Sequence, residues 1–235
     1  MNRLSSTILL AVLALGASLP AAAQWKGKGE VGIVYARGNT DTDTVNVKVD
    51  TSREVERWKH SFGVTALRAA TSGDKTAERY GANWQSDYKL TERSYWFGGL
   101  RYEQDEFSGF DYQASLSTGY GYKFIDNART KFSGQAGAGY RRSKLKPTGA
   151  TESNAIFRGD LKLEHTLTDT TKLLDTFVVE SGSDNTFVSN VLALQVKISD
   201  KFALSVALDV RHNTDPPVNL KKTDTLTTVN LVYAF

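Results

Sequence analysis

Apolar and polar residues alternate with a period of two along most of this chain. Tyr80, Ala82, Trp84, Tyr88 and Leu90 interleave with Arg79, Asn83, Gln85, Asp87 and Lys89. Tyr112, Ala114, Leu116, Tyr120, Tyr122 and Phe124 interleave with Asp111, Gln113, Ser115, Ser117 and Lys123. Phe202, Leu204, Val206, Leu208 and Val210 interleave with Ala203, Ser205, Ala207, Asp209 and Arg211. Beyond the N-terminal segment, no run of about 12 residues keeps a helical period. The alternation predicts twelve strands, over 25–36, 43–53, 58–70, 76–90, 94–105, 110–124, 130–143, 153–166, 171–180, 186–198, 202–211 and 224–235. The ninth alternates least well.

The connections between these strands are of two kinds. A short turn signal recurs at Leu90-Thr91-Glu92-Arg93, Ile125-Asp126-Asn127-Ala128, Leu167-Thr168-Asp169-Thr170 and Ile198-Ser199-Asp200-Lys201, with a weaker version at Val55-Glu56-Arg57. Longer connections, rich in Gly, Pro, Asn and Asp, fall at 37–42, 71–75, 106–109, 144–152, 181–185 and 212–223. The two kinds alternate, which puts both ends of the strand array on the short-turn side.

The polar faces carry more charge than a soluble core accepts, and the apolar faces are uniform and aromatic. Apolar-out and polar-in is the pattern of a membrane barrel. The expected fold is all-β: a 12-stranded antiparallel transmembrane β-barrel with short periplasmic turns and longer extracellular loops. A soluble sandwich produces the same alternation, so periodicity alone leaves a soluble periplasmic β protein open. Trp25, Trp58, Tyr88, Trp96, Phe124, Phe132, Phe202 and Phe235 fall near the short-turn ends, and Tyr35, Tyr80, Tyr102, Phe110, Tyr112 and Tyr140 nearer the loops. Two interfacial rings of aromatics would account for this.

The last segment, Thr225–Phe235, resembles the closing strand of bacterial outer-membrane barrels. In that class the terminal aromatic is part of the signal read during assembly. The resemblance makes Val229, Leu231, Tyr233 and Phe235 the candidate assembly residues. The partners it implies are outer-membrane lipid, the barrel assembly machinery and periplasmic chaperones. The segment should pair with residues 25–36 to close the wall.

Composition fixes the compartment. Met1-Asn2-Arg3, the apolar run 8–15 and Ala21-Ala22-Ala23 read as a cleaved secretory signal peptide over 1–23, leaving 24–235 as a single outer-membrane barrel domain. Cysteine is absent, which excludes disulfides, thiolate metal sites and cysteine nucleophiles. Without Arg3 the 29 basic residues fall to 28 against 26 acidic ones. No basic block points to nucleic acid.

Four stretches then carry a family resemblance: Arg37-Gly38-Asn39-Thr40-Asp41-Thr42; Arg101–Tyr112 followed by Gly119-Tyr120-Gly121-Tyr122; Gly137-Ala138-Gly139-Tyr140-Arg141; and Asn213-Thr214-Asp215-Pro216-Pro217, then Lys221–Thr225 and the terminal strand. Together and in order they resemble the YdiY-like "salt-induced outer membrane protein" family, a domain of unknown function. The resemblance implies an outer-membrane barrel linked to envelope stress. It implies no enzyme activity.

The charged positions on inward faces are the candidate lumen residues: Lys48, Asp50, Arg79, Asp87, Arg101, Glu103, Asp105, Arg158, Asp160, Lys162, Glu164, Asp209 and Arg211. They would either select small polar solutes or knit the interior by compensating pairs. A cation site formed by Glu103 and Asp105 with Asp41 or Asp43 is the sharper alternative to such a paired network. Catalysis on lipid would need a histidine beside a nucleophile. His60, His165 and His212 are the histidines, and no serine stands in a recognisable nucleophile motif. Gly119, Gly121, Gly134, Gly137 and Gly139 lack the following helix of a phosphate loop, and are expected to bend the wall or admit close packing. No cofactor is implied. The expected function is non-enzymatic, a narrow solute channel or a structural, stress-associated envelope barrel, with a membrane-embedded lipid hydrolase as the alternative.

Overall fold

The computed structural model describes residues 25–36, 42–106, 108–146, 148–216 and 221–235, with the side chains of 34–36 and 42 left aside. The expected signal peptide lies outside the described residues. The strands are β1 (Trp25–Ala36), β2 (Thr42–Val55), β3 (Trp58–Thr71), β4 (Asp74–Lys89), β5 (Ser94–Asp105), β6 (Phe110–Asp126), β7 (Thr130–Leu145), β8 (Thr151–Thr166), β9 (Thr171–Gly182), β10 (Thr186–Lys197), β11 (Phe202–Asn213) and β12 (Thr223–Ala234). Each pairs antiparallel with its neighbours in sequence, and β1 pairs with β12, so the sheet closes into a barrel. Closure removes the sheet edges that would otherwise leave backbone groups unpaired.

The connections are tighter than the sequence suggests. β3 and β4 are joined by Ser72 and Gly73 alone, both with positive φ (52° and 88°), the geometry of a two-residue hairpin. The expected loops shorten because β4, β7 and β8 continue past their apolar stretches. The longest connection, 214–222, holds Asp215-Pro216.

Strand register fixes which side chains face which way. Val206 lies opposite Val229, Leu204 opposite Leu231 and Phe202 opposite Tyr233, and all of these are exposed on the outer wall. Aromatic contacts gather at its short-turn end: Trp58 with Tyr88 at 5.0 Å, Phe124 with Phe132 at 5.2 Å, and Phe202 with Tyr233 at 5.2 Å between ring centroids. Tyr102 stacks on Tyr112 nearer the loops. Phe110 departs from this ring. It is buried, with 4% of its surface exposed, and lies opposite the inward-facing Asp105. The registers β5–β6 and β6–β7 both slip beside it, and one extra residue flips a period-two pattern to the other face.

The interior differs between its two halves. Towards the loops Leu67, Phe110, Ile156 and Phe187 point inward and are buried. Towards the short turns lysines, acids and small polar groups are more frequent among the inward residues, beside Tyr95, Phe97, Ala203 and Val232. Gly121 lies directly under the Tyr95 ring, where a Cβ would stand 2.1 Å from Tyr95 Cζ, so glycine there admits a large side chain to the lumen.

Candidate functional site

A belt of arginines and carboxylates crosses the lumen. Its members come from the inward positions of five strands: Arg79 on β4, Arg101, Glu103 and Asp105 on β5, Arg158 and Asp160 on β8, Glu180 on β9, and Asp209 and Arg211 on β11. β5 and β11 stand six strands apart in the ring of twelve, on opposite walls. Even so, Arg211 Nη1 lies 2.8 Å from Glu103 Oε1, and Arg79 Nη1 lies 3.5 Å from Asp209 Oδ2. Arg101 reaches from β5 to β9 and donates two hydrogen bonds to Glu180, at 2.8 and 3.3 Å. Arg158 donates to Glu180 at 2.9 Å and grips Asp160 in a fork at 2.8 and 2.9 Å. Arg79 Nε donates to Asp105 at 2.7 Å. Glu180, fully buried, also accepts from Ser115 at 3.1 Å.

Arginine suits this task because its planar fork binds a carboxylate through two donors and keeps its charge when buried. Phe187 supports the belt from β10, with the Arg101 guanidinium 5.0 Å and that of Arg211 5.9 Å from its ring centroid. Four arginines face five carboxylates, so the charges nearly cancel. Direct ion pairs between opposite walls span the lumen at this level.

A second, weaker layer lies below. Gln85 and Gln135 exchange amide hydrogen bonds at 3.1 and 3.2 Å, Gln85 donates to Asp87 at 2.7 Å, and Gln135 donates to Asp160 at 3.1 Å. The Tyr95 hydroxyl donates to Gln135 at 3.2 Å. Lys48 pairs with Asp50 at 3.3 Å. At the short-turn mouth Glu164 pairs with Lys172 at 2.7 Å, beside a cavity of about 460 Å³ lined also by Lys28, Lys197 and Asp200. In the turn beyond, Lys197 holds the Asp200 carboxyl below its ordinary range through a hydrogen bond. Lys162 faces the lumen on β8 and has no ion pair among the described residues.

The thirteen candidate lumen charges therefore all lie on the inner face. Nine of the belt and its lower layer join up, whereas Lys48, Asp50, Lys162 and Glu164 stand apart. Glu103 and Asp105 are held by arginines rather than turned towards Asp43, and Asp41 lies outside the described residues. Sequence reasoning missed Glu180, Phe187 and Arg141. Arg141, 1% exposed, donates to Asp184 at 2.8 Å and to Asn185 O at 2.6 Å, tying the β9–β10 connection over the lumen. The available signal was parity: Glu180 and Arg141 are charged residues on inward positions of strands.

The histidines face outward or sit near turns. His60 Nδ1 lies 2.5 Å from Ser86 Oγ on the outer wall, with its ring stacked on Trp58. Among the described residues no carboxylate bonds to His60. His165 contacts Thr130 and His212 contacts Thr223.

The family model described as "Protein of unknown function, DUF481" matches residues 29–235. The chain is 27% identical over 220 residues to "Uncharacterized protein YdiY" of Escherichia coli (strain K12), covering 92% of this chain and 86% of that one. Among solved structures it is similar to an outer membrane channel from Pseudomonas putida F1, with a TM-score of 0.53, 12% identity, and 93% and 97% of the two chains covered. It is also similar to the translocator domain of the autotransporter NalP from Neisseria meningitidis, with a TM-score of 0.52, 13% identity, and 98% and 95% covered. At such identities these two likenesses show the fold alone.

Proposed function

The chain belongs to the family described as "Protein of unknown function, DUF481", and from that premise we propose that it is a non-enzymatic outer-membrane barrel with a narrow polar path closed by the arginine–carboxylate belt. Residues 1–23 direct export and are removed. The short turns face the periplasm, the loops face outward, and Val229, Leu231, Tyr233 and Phe235 guide assembly. The outer wall supports this reading, since it exposes Leu, Val and aromatic side chains that a bilayer covers.

The observation that carries it is the 2.8 Å pair between Arg211 and Glu103 on opposite walls. Passage of a small polar solute requires that pair and its neighbours to part. Charges of both signs line the path, so strong selectivity for one ion is not expected. The test is conductance in a planar bilayer. Wild-type protein should conduct little, and Glu103→Gln with Arg211→Gln should raise the open conductance. A double variant that stays closed would favour a purely structural, stress-associated envelope barrel, the second reading that the buried apolar residues on the loop side support.

A further inference from the structure

The outer wall carries a groove of about 410 Å³ across β4, β5, β6 and β7. Two adjacent rungs of the sheet form it. On the lower rung Trp84, Leu100, Leu116 and Tyr140 lie side by side, and on the upper rung Ala82, Tyr102, Ala114 and Arg142 do. The alanines are the notches. Ala114 in particular lowers the wall between the raised Tyr102–Tyr112 stack and Arg142.

Arg142 stands at the loop end of this apolar groove and is exposed. Among the described residues no carboxylate pairs with it, whereas Lys144, one outward step further, is paired with Asp111 at 2.8 Å. Depth matters here. Arg142 lies twelve residues beyond the start of β7, about 30 Å along the barrel axis at an ordinary strand tilt. Phe132, on the short-turn aromatic ring, lies about 5 Å along by the same measure. The separation of about 25 Å matches the height of a barrel's apolar band. The unpaired guanidinium therefore sits at the headgroup level of the leaflet on the loop side, directly above a slot shaped for a chain.

We propose that this groove binds an anionic, phosphate-bearing membrane lipid, with one acyl chain over Ala114 and the phosphate on Arg142. The proposal rests on the membrane reading above. Charge complementarity selects the occupant: guanidinium binds phosphate through paired donors, and the slot beneath it presents mainly apolar and aromatic surface. The tyrosines flank the level where their hydroxyls remain wet.

The test is lipid retention by the purified chain in nanodiscs that mix phosphatidylglycerol and phosphatidylcholine with identical acyl chains. The wild type should retain phosphatidylglycerol preferentially. Arg142→Gln should reduce that preference about fivefold, the size of one basic contact at an anionic surface. Ala114→Phe keeps the charge but fills the slot, and should reduce it as well. Arg68→Gln, an outward arginine on β3 away from the groove, should leave it unchanged. Equal loss in Arg142→Gln and Arg68→Gln would reduce the effect to surface charge and overturn the site. So would unchanged retention in both groove variants. A chain that enters no nanodisc would overturn the membrane reading and the site with it, whereas normal insertion without lipid preference overturns the site alone.

Discussion

Asn46 of β2 and Asn230 of β12 hydrogen-bond to each other at 2.8 Å, reaching over the strand that lies between them. They meet above Gly32 of β1, where a Cβ would stand 2.1 Å from both side-chain oxygens. The paired register of β1 with β12 runs from Lys28 opposite Ala234 to Gly32 opposite Asn230. The two amides thus clamp the loop-side end of the closing seam, and glycine is what lets them touch.

Filling that gap should loosen the seam. Gly32→Val must displace both asparagine side chains, with loss of their hydrogen bond and about 1–3 kcal/mol of stability. The expected result is a lower temperature for conversion of the folded, fast-migrating gel species to the unfolded one. Asn46→Ala should move it less, because the backbone there stays unstrained.

Glu180 is the acid on which the belt converges, since Arg101, Arg158 and Ser115 all donate to it. Glu180→Ala leaves two buried guanidinium groups short of a partner, a change that costs about 3–5 kcal/mol. The same gel assay should show a marked fall in unfolding temperature. Asp50→Ala, which removes a half-exposed pair, should cost under about 1 kcal/mol.

Phe235 ends the seam at the other side. Its main chain exchanges two hydrogen bonds of 3.0 Å with Gly27, and its ring lies 6.2 Å from that of Tyr233. Deleting Phe235 should slow assembly and raise the fraction of unfolded chain in cell envelopes. Normal insertion of the truncated chain would contradict an assembly role.

His60 and Ser86 lie within hydrogen-bonding distance on the outer wall, stacked against Trp58. We expect the pair to satisfy polarity at the interface and nothing more. Purified protein incubated with phospholipid, with and without calcium, should release no fatty acid, and His60→Ala should change nothing in that assay. Release that disappears with His60→Ala would establish a hydrolase.

How far the sequence carries can be traced in single residues. Asp209 and Arg211 are legible as inward charges because they alternate with Leu208 and Val210, and the pleat sends neighbours to opposite faces. That Arg211 meets Glu103, 108 positions away, is not legible, since alternation says nothing about which strands stand opposite once the sheet closes. Glu180 escaped notice because β9 mixes signals. Register puts Leu174 and Val178 on its inner face and Asp175 on its outer one, where Asp175 bonds Asn190 at 2.7 Å. Phe110 misled for a different reason, a register slip that reverses the face.

The sequence by itself determined the strands, their order, the two faces of most of them and the expected closure of the last onto the first. Those properties follow from local alternation, turn residues and the lack of any sheet edge in a closed wall. Only the tertiary structure decided that the charges form one belt, that the belt spans the lumen, and that Gly32 carries the clamp. These depend on the stagger between strands and on the distance between opposite walls, which arise when all twelve strands are in place.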